Sequence, residues 1–399
     1  MISRNLATIT FDDTDVQLTP ITADITLDEG WSPFVQVRAT CPIESTSALL
    51  DLDPRDEQRV TIRLEQQYGR IDRIRDLSRR YAGSPLRALS LLFAGEKVSE
   101  ISRGLYWDWT TPGAPYAAPR IEHLRLGLRS RRIDHVAGTV ELTFASDEAL
   151  LQDNAHLATV PLSVPAGTVY EAVNYVLARI GAHLSVSSGP GVFAPFDPTK
   201  NPWEPGVSAW EWVSRVVQAV DLRLSCDEGG SWQLTKEQVE PAGPDLALTA
   251  DTIKRATDAI SRDGDWYTAV VITYRWSDDE NEQHTAYDLA RLPVSIAGTN
   301  QRAHTLTYQK PYPGPGAAAR ILRSLLGHAR KISVSAVIDY GARPGRQVTI
   351  ALPSTPTQAG TVSAVTWHYP ADDMDVQFRA VVDAGGIETE YTPVPEEEP

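Results

Sequence analysis

Apolar and polar residues alternate over much of this chain, and the alternation comes in short runs. LATITF, ITADITL, PFVQVRATCPI and QRVTIRLEQQYG follow one another over residues 6–69. In the last of them Val60, Ile62 and Leu64 alternate with polar residues, the period of a strand with one buried face. The pattern returns in HLRLGLRSR (123–131), through Leu124, Leu126 and Leu128, and in GTVELTFA (138–145), through Val140, Leu142 and Phe144. These runs predict a β-sheet or small barrel over 1–68 and 105–150, interrupted by an insertion at 69–104.

The insertion has a different texture. IRDLSRRYAG (74–83), LRALSLLFAG (86–95) and VSEISRGLYW (98–107) align at an offset of twelve residues. Ile74, Leu77 and Tyr81 carry i, i+3, i+7 spacing, so each unit reads as a two-turn helix closed by Gly83 or Gly95. Helices this short need a surface to pack on. They are either a helical decoration of the barrel or a contact with a sister subunit or partner. The basic segment RIDRIRDLSRR (70–80), which leads into the first unit, carries Arg70, Arg73, Arg75, Arg79 and Arg80 beside Asp72 and Asp76. That is either a solvated face with i, i+4 pairs or a contact with an acidic neighbour.

Between 151 and 248 the helical period of 3.6 takes over. TVYEAVNYVLARIGAHLSV (168–186) and SAWEWVSRVVQAVDLRLSC (208–226) align without a gap at an offset of forty. Thr168 with Glu171, and Ser208 with Glu211, are capping boxes in which the hydroxyl satisfies an orphan N–H at the helix start. Each helix is expected to run into a short strand, and Gly229–Gly230 to turn the second strand into a hairpin carrying Trp232 and Leu234. Within NPWEPGVSAWEW, Trp210 falls at a core position with Val213, Val217 and Val220. Trp212 faces sideways with Val216 as a domain or subunit contact, and Trp203, in the turn ahead of the cap, is a candidate ligand contact.

From 249 to 330 a β/α module follows, with the strand DWYTAVVITYRW and the helix GAAARILRSLLGHARKI. Then ISVSAVI, RQVTIAL, GTVSAVTWHY and DMDVQFRAVV form a meander over 331–386, and residues 387–399 read as an acidic disordered tail. The fold class is therefore α+β, mainly β.

Composition narrows the function. Apolar residues make up 42% and charged residues 22%, and the 28 prolines and 26 glycines suit a protein of strands and loops. A formal net charge of −15 argues against a protein whose main task is to coat nucleic acid, which needs clustered Lys and Arg. Cys41 and Cys226 stand far apart without metal spacing, and the N-terminus lacks the apolar stretch of an export signal. The eight histidines include no HExxH or HxH pair, and no GxSxG, P-loop or GxGxxG marks a nucleophile or a nucleotide. The Asp12/Asp13/Asp15 and Asp278/Asp279/Glu280 groups lack EF-hand spacing and read as solvated turns. No catalytic residue, metal or cofactor is expected.

The order of these blocks resembles a family, the baseplate hub or tail-tip proteins of tailed bacteriophages, and especially minor tail proteins of siphophages infecting actinobacteria. The resemblance rests on VSAWEWVSRVVQAVDLRLSCDEGGSWQLTKE, then RDGDWYTAVVITY, HTAYDLARLPVS, the helix after Gly316, RPGRQVTIAL and GTVSAVTWHYPADDMDVQFRAVV. Two positions depart from it: Arg346 follows Pro344–Gly345 where the family often has Asp, and Thr268 stands where Asn is usual. The resemblance implies two tube-like β-barrels flanking α/β modules, with the helical repeat inserted in the first barrel. It also implies a homotrimer whose six barrels match the hexameric tail tube and line or close the DNA channel.

The implied partners are the distal tail or tail tube protein on one side and other tip, fibre or tape measure proteins on the other. Genomic DNA passes nearby without specific binding, and there is no membrane anchor. The chain would act at the virion tail tip after synthesis in the host cytoplasm, as a structural protein and not an enzyme. Any enzyme or fibre is expected on another polypeptide. Two other readings are a carbohydrate-binding or cell-wall-degrading tail-tip protein, which draws on the tryptophans and scattered carboxylates, and a secretion-needle spike or tube adaptor of the same fold.

Overall fold

Strands dominate the computed structural model. It describes residues 2–12, 14, 16–43, 52–69, 120–189, 191–220, 222–236, 246–250, 252–260, 267–277, 282–298, 301–309, 312, 314–326, 330–352, 357–380 and 387–391. The N-terminal part contains β1 (Ile2–Phe11), β2 (Gln17–Leu18), β3 (Thr22–Asp28), β4 (Val35–Pro42), β5 (Arg59–Gly69), β6 (Arg120–Asp134) and β7 (Thr139–Ala145). The middle holds α1 (Glu148–Asp153), α2 (Val169–Leu177), β8 (Leu184–Ser187), α3 (Ala209–Gln218), β9 (Leu222–Cys226) and β10 (Trp232–Lys236). Then come β11 (Leu246–Thr249), β12 (Ile253–Ile260), β13 (Ala269–Ser277), β14 (Gln283–Arg291), α4 (Val294–Ala297), β15 (Ala303–Tyr308) and α5 (Ala317–Leu326). Strands β16 (Arg330–Ala336), β17 (Gln347–Ala351), β18 (Gln358–Tyr369), β19 (Asp373–Ala380) and β20 (Glu388–Tyr391) complete it.

The two halves of the chain share one sheet. Its 13 strands run β12-β16-β19-β18-β3-β4-β7-β6-β5-β1-β2, with β11 joined through β17 to β18. The halves meet where β18 pairs antiparallel with β3, in the register Val365↔Leu27 and Trp367↔Ile25. Strand β18 is long enough to bond β17 at its start, β19 along most of its length and β3 at its end. Alternate residues of strands from both halves enter a single apolar cluster, including Val60, Ile62, Leu64, Leu124, Leu126, Val140, Leu142, Val334, Val365, Trp367 and Phe378. A sheet of this many strands with one continuous core has to coil on itself.

The middle module is built from the forty-residue echo. Thr168 Oγ1 accepts from Glu171 N at 3.3 Å and Ser208 Oγ from Glu211 N at 3.1 Å, so both predicted caps are made. In the first cap the Glu171 carboxylate reaches back to Gly167 N at 2.8 Å. The two helices pack on each other and on the small sheet β8-β10-β9, in which β10 is parallel to β8 and antiparallel to β9. Gly230 turns the β9–β10 hairpin with φ +80°, a backbone region that strains any residue carrying a Cβ. Asp227 braces the turn by accepting from Gly229 N and Ser231 N.

Two segments lie elsewhere than the sequence places them. Strands β11 and β12, expected at the end of one module and the start of the next, pair with β17 and β16 in the large sheet. Their alternation marks an apolar face but does not name the strand that covers it, and the partner of β11 lies about a hundred residues downstream. Residues Glu388–Tyr391, expected in a disordered tail, form β20 on the edge of the third sheet, β15-β13-β14-β20. All four side chains are exposed, so backbone hydrogen bonds to a free edge hold this strand and leave no hydrophobic signature in its sequence. Helix α5 covers this sheet with Ala318, Ala319 and Leu322 against Val270, Ile272 and Tyr274.

Candidate functional site: the joint and cleft between the sheet and the helical module

Glu148 opens α1 where the large sheet ends and the helical module begins. Its carboxylate accepts from Phe34 N just ahead of β4 (Oε2, 2.6 Å) and from Cys226 N at the end of β9 (Oε1, 2.9 Å). The side chain is buried, and desolvation pushes its pKa up to about 7 against the opposing pull of those two N–H donors. Burial likewise pushes the Cys226 thiol up, so this cysteine is an inert packing group.

A second tie crosses the molecule at Arg343, in the turn ahead of β17. Its guanidinium donates to Glu122 of β6 at 3.1 Å, pairs with Glu228 of the β9–β10 turn, and lies 4.7 Å from the centre of the Trp367 ring. Arg125 N also donates to the Glu228 carbonyl at 2.8 Å. One cation thus joins the N-terminal strands, the C-terminal strands and the helical module. Nearby, Arg120 bridges Glu122 and Asp339, each at 3.0 Å.

The seam between the halves carries a histidine on its outer face. His368 Nδ1 lies 2.7 Å from Asp24 of β3 and Nε2 3.2 Å from Asp375 of β19. Desolvation lowers the imidazole pKa, but the hydrogen bonds to the two carboxylates outweigh it and hold the group above its ordinary value.

Between the sheet and α3 lies a cleft of ≈ 420 Å³. Trp31, on the turn between β3 and β4, stands at its edge with 53% of its surface exposed. That turn is held by Gly30 N donating to Asp28 Oδ1 at 2.7 Å, and by Gln152 Nε2 donating to the Ser32 carbonyl at 3.0 Å. The facing wall is the stripe Trp210, Ser214 and Gln218, spaced i, i+4, i+8 along α3. Arg223, Arg379, Glu29 and Glu148 also line it, with Val217, Leu222 and Leu224 between them. Arg379 pairs with Glu29 at 2.7 Å, and burial raises the Glu29 pKa against the pull of Arg379 and Arg223.

The tryptophans change places relative to the sequence reading. Trp203 and Trp212 are buried and stacked, with ring centres 5.6 Å apart and an interplanar angle of 21°. Trp203 Nε1 donates to the Val207 carbonyl at 2.9 Å and Trp212 Nε1 to the Asn201 carbonyl at 3.2 Å, so both indoles are internal packing groups. Trp210, placed in the core by sequence, is half-buried: it packs against the edge of that core and also lines the cleft. The inward face of α3 is Ala209, Trp212, Val213, Val216 and Val217. The alternative face depended on Val220, which lies beyond the helix end at Gln218.

Arg70, Arg73, Arg75, Arg79, Arg80 and the twelve-residue repeat lie outside the described residues, as do Asp13, Asp15 and Asp278–Glu280. Among the described residues no group of three or more His, Cys, Asp and Glu is gathered for a metal, and no helix is long and apolar enough to cross a membrane. Thr268, at the departure from the usual Asn, is buried, and its Oγ1 accepts from Arg302 N at 3.1 Å where β13, β14 and β15 converge. Sequence reasoning missed Glu29, Trp31, Glu148, Arg223, Arg343 and Arg379. Trp31 alone left a signal, since DEGWSP puts a tryptophan in an irregular turn among polar residues.

No protein-family model and no curated protein matches this sequence. Solved structures do match in fold. The tail protein from Neisseria meningitidis MC58 superposes with a TM-score of 0.58 at 11% identity, covering 94% of this chain and 96% of that one. The 43 kDa tail protein of prophage MuSo2 from Shewanella oneidensis gives 0.57 at 12% identity over 94% and 98%. Prophage tail protein gp18 from Listeria monocytogenes EGD-e gives 0.53 at 9% identity over 94% of each chain. At such identities the likeness is one of fold.

Proposed function

We propose that this chain is the structural hub of a phage tail tip or baseplate. The observation that carries the reading is the extent of the fold likeness. It takes in nearly the whole of this chain and nearly the whole of three tail proteins. In this reading the two halves of the large sheet act as two tube-like barrels joined at the β3–β18 seam. Three chains assemble into a ring of six barrels, which adapts a hexameric tube to trimeric tip proteins and lines or closes the DNA channel.

Several features suit that role. The Arg343 and Glu148 ties cross-brace the units, as a platform under load requires. The net charge of −15 lets DNA pass without phosphate binding. The partners are the distal tail or tube protein on one face and tip, fibre or tape measure proteins on the other, and the site of action is the virion tail tip. The role is non-enzymatic. The arginines of the insertion are assigned to a contact with an acidic neighbour.

Mass photometry of the purified chain together with electron microscopy of intact tails tests the proposal. A trimer located at the tail tip is the expected result. Absence of the chain from virions would refute the role, and a stable hexamer would assign it instead to a distal tail ring.

A further inference from the structure

We propose that the cleft between Trp31 and the outer stripe of α3 binds a neutral saccharide. The first argument is charge. Glu29 is paired with Arg379, and Glu148 and Arg223 complete the charged lining, so groups of both kinds stand together and neither sign dominates. An anionic ligand meets carboxyl groups and a cationic ligand two guanidinium groups, while a wholly apolar ligand would strip water from the half-buried arginines without return. A neutral ligand rich in hydroxyl groups fits, because each hydroxyl both donates and accepts.

The second argument is the aromatic pair. Trp31 and Trp210 both line the cleft, the first exposed and the second half-buried against the helical module's core. A pyranose ring has one face of C–H groups that packs on an indole while its hydroxyls point outward to polar partners. Ser214 and Gln218, one and two turns beyond Trp210, place such partners in line along α3. The volume of ≈ 420 Å³ falls in the range of small-ligand sites, about 300–1,000 Å³.

The third is preorganisation. The Trp31 turn is hydrogen-bonded to itself through Asp28 and to α1 through Gln152, so little freedom is lost when a ligand stacks on the indole. The site binds and does not hydrolyse. Both Glu148 oxygens already accept backbone N–H groups and Glu29 is held by Arg379, so neither carboxyl is free to serve as acid or base.

The test uses the full chain in its purified oligomeric state, with maltose and the N-acetylglucosamine disaccharide as probes and glucuronate and glucosamine as charged controls. Saturation-transfer NMR and tryptophan emission report binding. The neutral sugars are expected to saturate, with the charged controls weaker. Trp31→Ala, on an exposed turn outside the core, and Gln218→Ala, on the exposed face of α3, should each weaken binding about tenfold with circular dichroism and oligomeric state unchanged. The proposal is overturned if no neutral saccharide saturates, or if binding survives both substitutions. It is equally overturned if Trp31→Ala lowers the oligomeric state, because the cleft is then a contact between copies of the chain. None of these outcomes depends on whether the chain is found at a tail tip.

Discussion

Replacing Glu148 by alanine has two opposing effects, and pH separates them. The substitution leaves Phe34 N and Cys226 N without their acceptor, at a cost of about 1–3 kcal/mol for each buried donor. It also removes a carboxylate that burial makes hard to charge, as its pKa of about 7 records. Because the folded-state pKa lies above the ordinary 4.5, the folded wild type takes up a proton that the unfolded chain does not hold between these values. The stability gained is full below the unfolded value and is lost as pH rises through the folded one. Between about pH 8 and about pH 5 the wild type should therefore gain about 2.5 kcal/mol that the alanine chain lacks. Urea unfolding followed by emission from the module's buried tryptophans, Trp203, Trp212 and Trp232, measures this directly. Glu148→Ala should be destabilised at both pH values and more so at the lower. Glu148→Gln, which does not titrate, should parallel the alanine chain in its pH dependence. A destabilisation that is flat with pH, or larger at about pH 8, would show that the two N–H donors outweigh burial and would refute the argument.

Other substitutions probe the remaining ties. Arg343→Ala removes the partner of Glu122 and Glu228 and the cation over Trp367, and should cost about 3 kcal/mol in a thermal or urea transition, with Arg343→Lys failing to restore it because a point charge cannot bridge both carboxylates. Trp203→Ala opens a cavity beneath Trp212 and should destabilise the module by about 3–5 kcal/mol, as calorimetry would record; near-neutral stability would return Trp203 to the list of contact residues. His368, held above its ordinary pKa, stabilises the β3–β18 seam fully below about pH 6.5, and this contribution fades as pH rises through the raised value. His368→Gln should abolish that part of the stability–pH profile, and an imidazole NMR titration at or below the ordinary value would contradict the pairing with Asp24 and Asp375.

Local periodicity carried much of the fold. Alternation at Val60, Ile62 and Leu64, at Leu124, Leu126 and Leu128, and at Val140, Leu142 and Phe144 names the buried face of each strand, and every one of these residues lies in the core. Ser and Thr followed three residues later by Glu fixed the starts of α2 and α3, because capping is a contact within one turn. The candidate site was almost illegible. Its walls come from the β3–β4 turn, α1, α3, β9 and β19, and no local pattern records that these will meet.

The sequence by itself therefore determined the long periodic strands and the capped helices, which of their faces are apolar, and that two α/β units echo each other. The tertiary structure alone decided that β18 joins β3 to make one sheet of both halves, that β11 and β12 belong to it, and that Trp212 rather than Trp210 is core. The physical reason is that hydrophobic burial is non-directional. Alternation says that a face must be covered, and only the folded chain, choosing among distant surfaces by register and shape, says by what.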